Sequence, residues 1–131
     1  MTQRNNNFES QLRSAPVLFR DIGNHRNEII VCIEHALARQ LTNTPTAAGM
    51  AAMFCVSKRT FNRKLNAMGV SYRELQDNVK SKVARKYLLA SERSITDIAA
   101  ELGYADPSNF TKAFKSWQGC SPREYRATHA L

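Results

Sequence analysis

Three cysteines, Cys32, Cys55 and Cys120, are all that this 131-residue chain carries, and they share no motif spacing. An odd, scattered set excludes a disulfide framework and fits a reducing cytosol. Long apolar runs are missing too: nothing approaches the roughly 20 residues that span a bilayer. Met1–Asn7 lacks the apolar stretch of a signal peptide, so neither membrane insertion nor export is expected. The three histidines, His25, His35 and His129, are far apart, and no Ser/His/Asp set, Gly-rich phosphate loop or paired carboxylates accompany them. An enzyme is therefore not expected. Cys32 and His35 stand three apart and could share a metal, but two ligands do not close a zinc site. No cofactor is expected either. Sustained alternation of apolar and polar residues is absent, which leaves an all-α chain.

What is present is one pattern written twice. Thr46-Ala-Ala-Gly-Met-Ala-Ala-Met-Phe-Cys-Val56 lines up with Ser94-Ile-Thr-Asp-Ile-Ala-Ala-Glu-Leu-Gly-Tyr104, so that Met50, Ala51, Phe54 and Val56 recur as Ile98, Ala99, Leu102 and Tyr104. With one residue added in the turn, Phe61-Asn-Arg-Lys-Leu-Asn66 matches Phe110-Thr-Lys-Ala-Phe-Lys115. With one more, Gly69-Val-Ser71 matches Gly119-Cys-Ser121, a telling recurrence in a chain with only five glycines. Each copy reads as a short helix, a tight turn and a second helix with basic residues, the form of a helix-turn-helix.

Charge is unevenly spread. The net charge of +8 divides into +1 over residues 1–56, +7 over 57–86 and 0 over 87–131. Nine basic residues stand against Glu74 and Asp77 in the middle stretch, which covers the second helix of repeat one and the segment joining the repeats. A solvated basic surface would look similar. Coinciding with a helix-turn-helix, this patch points to a polyanion and to salt-dependent binding.

The periodicity predicts seven helices. Residues 1–25 show no sustained pattern and read as an arm or linker, with Pro16–Phe19 a short apolar spot that could dock. The domain proper is residues 26–131. Ile29, Ile30, Ile33, Ala36, Leu37 and Leu41 mark a first amphipathic helix over 26–41. Helix-turn-helix one follows at about 46–67, a long linker helix at about 71–89 and helix-turn-helix two at about 94–117. Tyr72, Leu75, Val79, Val83 and Tyr87 are expected on the buried face of the linker helix. Helix starts are marked by Thr44 or Thr46, Ser57, Ser71 with Glu74, Ser94 with Asp97, Asp106 before Pro107, and Ser121 before Pro122 and Glu124.

Phe61, Leu65, Phe110 and Phe114 should face inward, and Ala51 and Ala99 suit a close helix crossing. Lys58, Arg59, Asn62, Arg63 and Asn66 then face outward in repeat one, and Pro107, Ser108, Thr111, Lys112 and Lys115 in repeat two. Arginine can bond a guanine edge through two parallel hydrogen bonds, and asparagine an adenine edge. Arg59 and Arg63 are the strongest such candidates, followed by Asn62. Repeat two offers a less directional set in a neutral segment, so repeat one should supply most of the affinity and base discrimination. The aromatics and Met50, Met53 and Met68 are assigned to packing.

The stretch Ser94–Arg126, with Ile98-Ala99, Gly103-Tyr104, Phe110 and Phe114, Gly119-Cys-Ser-Pro122 and Tyr125-Arg126, resembles the DNA-binding domain of the AraC/XylS family of bacterial transcription regulators. Ser57–Leu65 matches the looser first half, and the similarity covers about 26–126. It implies a seven-helix domain whose two recognition helices enter successive major-groove segments of double-stranded DNA. By position it makes Arg59, Asn62, Arg63, Pro107, Ser108, Thr111 and Lys112 base contacts, and Lys80 a phosphate or base contact. Most members activate transcription with RNA polymerase, so the resemblance implies a cytoplasmic, nucleoid-associated activator, here expected to act as a monomer. Lys80 and Lys112 stand where the family has arginine, turning forks into point charges. Cys55 stands where repeat two has Gly103, so the first turn is expected to differ slightly. Many members carry an effector or dimerisation domain ahead of this one; the chain is either a solitary regulator or the reading head of a longer protein. A competing reading keeps the fold as a protein-interaction antagonist or adaptor without DNA readout.

Overall fold

The computed structural model describes residues 22–129, with side chains from Asn27 on. Seven helices and no strands occur among the described residues: α1 (Ile22–Ala38), α2 (Ala47–Met53), α3 (Lys58–Ala67), α4 (Tyr72–Ala90), α5 (Ile95–Glu101), α6 (Pro107–Gln118) and α7 (Pro122–His129). The expected arm falls outside this range as far as residue 21, together with its apolar spot, and its last four residues belong to α1.

Capping explains most of the boundaries. Thr46, not Thr44, starts α2 by accepting from the Gly49 amide at 3.1 Å. Ser57, Ser71, Ser94 and Ser121 accept from the amide three residues on at 3.0–3.1 Å, and Asp106 from that of Ser108 at 2.9 Å. Each satisfies an N–H that has no partner inside its helix. Ser71 and Glu74 also meet through their side chains, at 3.4 Å.

The chain forms two compact units. The first combines α1 and Arg39 with Pro45–Gln76; the second combines Gln40–Thr44 with the chain from Asp77 on. Ile29, Ile33, Met50, Phe54, Phe61 and Leu65 are fully buried in the first, and Ile98, Leu102, Phe110 and Phe114 in the second. Burying each such side chain stabilises by about 1.5–3 kcal/mol.

Two expectations need correction. The first helix ends at Ala38, so Leu41 lies in the turn beyond it, although still buried. That turn is held elsewhere: Thr42 donates from Oγ1 to the Glu101 carbonyl at 3.0 Å. The second correction concerns α4. Tyr72, Leu75 and Val79 are buried as expected, but Val83 and Tyr87 are only half-buried, while Ser81, Ala84 and Leu88 are buried instead. At 3.6 residues per turn these three lie on a different face from the first three. The helix runs from the first unit, through Gln76, into the second, from Asp77, so one stripe could not describe it.

Candidate nucleic-acid interface

The first helix-turn-helix is built on a stack of aromatic rings. Phe54, at the end of α2, lies 6.3 Å from Phe61 of α3, and Phe61 meets Tyr72 edge-on at 5.5 Å. Tyr72 is itself fixed by a 2.8 Å bond from its hydroxyl to the Pro45 carbonyl. Ala51 of α2 is small and only 1% exposed, as a close helix crossing requires. With Phe61 and Leu65 buried, the other side of α3 must face water.

That side is cationic. Lys58, Arg59, Arg63 and Asn66 are exposed, and Asn62 is half-buried. No carboxylate among the described residues pairs with Lys58, Arg59 or Arg63. No internal ion pair has to break before these groups meet an anion. The first turn of α3 contains no acidic residue, and its cap, Ser57, is neutral.

The turn between α2 and α3 does not differ as expected. Cys55 adopts φ 59°, in the left-handed region that Gly103 occupies at φ 89° in repeat two. Val56 N donates to Ala51 O at 3.1 Å, and Tyr104 N to Ala99 O at 2.9 Å, the same helix-ending bond in both copies. Cysteine keeps the turn at the cost of backbone strain. Gly103 has a second reason to be glycine: a Cβ there would lie 2.6 Å from the Leu41 carbonyl oxygen.

Repeat two rests on a longer aromatic chain. Tyr104, Phe110, Phe114 and Tyr125 follow one another at 5.7, 5.9 and 5.4 Å, with Trp117 6.3 Å from Phe114. Ser108, Lys112 and Lys115 are exposed on α6, and Pro107 and Thr111 are half-buried. Asn109 is exposed beside Ser108; its counterpart in repeat one, Thr60, is not among the outward residues there, and matching the two repeats by position left Asn109 out. The cap of α6 is the carboxylate of Asp106, which places a negative charge where α3 has none.

Lys80 differs from the other candidates. It is half-buried, with Nζ 4.9 Å from the centre of the Tyr104 ring, a cation–π contact beneath the second helix-turn-helix. Cys32 and His35 sit one turn apart on α1, the thiol buried and the imidazole exposed. Burial, reinforced by Glu28, pushes the Cys32 thiol above its ordinary pKa, which favours the protonated form over the metal-binding thiolate.

A family model described as a helix-turn-helix domain matches residues 50–128, a span that begins within α2 and covers the rest of repeat one and all of repeat two. The chain belongs to the AraC/XylS family. Among curated AraC-type relatives, it is 37% identical over 70 residues to the ornithine utilization regulator of Pseudomonas aeruginosa, covering 53% of this chain and 21% of that protein. It is 32% identical over 107 residues to the transcriptional activator NphR of a Rhodococcus species, covering 81% of this chain and 32% of the relative. The chain thus spans a fifth to a third of the length of these proteins. Among solved structures, the transcriptional regulator CdpR of Pseudomonas aeruginosa matches with a TM-score of 0.70 and 34% identity, over 82% of this chain and 33% of the other. No helix among the described residues is long and apolar enough to cross a membrane.

Proposed function

We propose that this chain reads double-stranded DNA by sequence as an AraC-type transcription regulator, with α3 and α6 as its two recognition helices in successive major-groove segments. Arg59 and Arg63 bond guanine edges, Asn62 an adenine edge, and Lys58 and Asn66 the flanking backbone. Pro107, Ser108, Thr111, Lys112 and Lys115 supply the second, weaker set, with Lys80 set back on Tyr104. The observation that carries the reading is the state of Arg59 and Arg63: exposed, without a carboxylate partner among the described residues, and opposite a fully buried Phe61 and Leu65. A rigid helix with free guanidinium groups suits bidentate base recognition.

The inequality of the heads has electrostatic support. The α3 N-terminus is capped by a neutral hydroxyl and followed by two arginines and two lysines, whereas α6 begins at a carboxylate and offers two lysines. Phosphate attraction and fork-like base bonding both favour α3. Duplicated, non-identical heads suit an asymmetric site, so a single copy suffices on DNA, in the cytoplasm at the nucleoid, without a catalytic cofactor. Activation together with RNA polymerase is the sign we assign, in keeping with a relative named as an activator.

Selection of duplexes from a random pool tests this reading. The expected result is a recovered motif with two separated blocks of preferred bases, the better defined one belonging to α3. Recovery of no motif, with affinity independent of sequence, would overturn it.

A further inference from the structure

We propose that Lys82 and Lys86 on the long helix α4 form an additional phosphate-binding stripe, which grips the DNA backbone without reading bases. The inference rests on the DNA-binding reading above and adds a contact that the two helix-turn-helix units do not supply.

Residues 80–86 hold four cations and no acidic residue. Two of the four are already engaged within the protein. Lys80 lies over the Tyr104 ring at 4.9 Å, and Arg85 donates from Nε to the Ser81 carbonyl at 3.4 Å. Lys82 and Lys86 are both exposed, and neither pairs with a carboxylate among the described residues. They stand four residues apart, side by side on one helical face, where like charges repel and weaken the helix. No acidic residue occupies a position three or four away from either of them. An external anion relieves this arrangement.

The chemistry favours a nucleic-acid backbone over an acidic protein. Protein interfaces are anchored by buried aromatic, arginine or large apolar side chains. Around this pair the exposed neighbour on the preceding turn is Asn78, and the one exposed leucine nearby, Leu89, lies beyond the pair. Lysine is a compact, flexible point charge, suited to phosphate and poorly suited to bidentate base recognition. Two lysines on successive turns are about 6 Å apart along the axis, a spacing that lets both engage one strand of a duplex with a charge every ~3.4 Å.

The experiment is an equilibrium titration of the full chain against two fluorescent duplexes, one recovered by selection and one of scrambled sequence, at several salt concentrations. The wild type is compared with the Lys82→Gln/Lys86→Gln double variant and with Arg63→Ala. Circular dichroism confirms that each variant is folded. Loss of two phosphate contacts lowers the slope of log affinity against log salt by about 1.8. The double variant's deficit should therefore shrink by roughly tenfold between 50 and 200 mM salt. Its preference for the selected over the scrambled duplex should be unchanged, while Arg63→Ala lowers that preference. A double variant with the wild-type slope overturns the stripe and leaves the DNA-reading proposal standing; the pair then serves an acidic protein or only solvation. A changed preference also overturns it, since the lysines would then act on base readout. Failure of the wild type to bind either duplex overturns both proposals together.

Discussion

Arg126 in α7 donates from Nε to the Leu88 carbonyl at 2.9 Å, and its Nη2 reaches the Ser91 and Tyr87 carbonyls at 3.3 and 3.4 Å. The acceptors belong to the last turn of α4 and the residue just beyond it, where the helix dipole is negative; the Tyr87 carbonyl also accepts from the Ser91 amide at 3.2 Å and the Ser91 hydroxyl at 2.7 Å. One side chain thus ties the final helix to the end of the long one. Arg126→Ala should lower stability by about 1.5–3 kcal/mol, the usual range for hydrogen bonds to a charged group. Arg126→Lys should recover only part of it, because the charge returns without the fork. Urea denaturation with an unchanged m-value checks this; a loss within a few tenths of a kcal/mol would show that the clamp is ornamental.

The turn residues should separate by what a Cβ meets. Gly69, Gly103 and Gly119 all have positive φ, but only at Gly103 does a Cβ collide with backbone, 2.6 Å from the Leu41 oxygen. Gly69→Ala and Gly119→Ala should each cost roughly 1–2 kcal/mol, the left-handed penalty alone. Gly103→Ala should cost more than either. At φ 59°, Cys55→Gly should be neutral or gain up to about 1 kcal/mol, relief of strain being offset by glycine's greater unfolded-state freedom. Thermal melts of the four variants give the order, and equal costs at the three glycines would refute it.

Much of this fold could be read from residue type and spacing. Ser57, Ser71, Ser94, Asp106 and Ser121 declared helix starts because a cap acts within three residues of itself. Phe61 and Phe114 declared the core because a helical face repeats locally. What escaped depends on partners distant in sequence. Nothing near Arg126 says that its guanidinium reaches Leu88, and nothing near Gly103 announces the Leu41 carbonyl. The shift of burial along α4 from Val79 to Ser81 and Ala84 was hidden for the same reason, since Gln118 of α6 supplies the 2.9 Å bond that satisfies the buried Ser81 hydroxyl. The cationic face of α3 was visible in sequence; the absence of carboxylate partners for Lys58, Arg59 and Arg63 among the described residues was not.

Thiol reactivity should follow exposure and ionisation together. Cys55 is exposed, Cys120 half-buried and Cys32 buried, with its thiol pKa raised by burial and by Glu28. Less thiolate forms at a given pH where the pKa is raised, so Cys32 is both hidden and chemically slow. Iodoacetamide at mildly alkaline pH should modify Cys55 first, then Cys120, with Cys32 reacting only after unfolding. Mass spectrometry of timed digests reports the order; early labelling of Cys32 contradicts the placement of α1.

Alkaline stability should depend on Tyr72. Burial raises its phenol pKa, opposed by a hydrogen bond with Gln76. Its contribution is present below the ordinary tyrosine value of 10.0 and is lost as pH rises through the higher folded value. Tyr72→Phe should cost about 1 kcal/mol at neutral pH through the lost Pro45 bond. The same variant should lose less stability than the wild type above pH ~10. Parallel pH-stability curves for the two proteins would contradict this.

Base reading by α3 is tested most directly by the affinity of wild type, Arg63→Ala and Lys112→Ala for a selected duplex and for its single-base-pair variants. Arg63→Ala should cost about 1–3 kcal/mol and abolish the preference at one base pair. Lys112→Ala should cost less and weaken all the duplexes more evenly. Equal losses for the two variants, or an Arg63→Ala protein that keeps every base preference, would contradict the account.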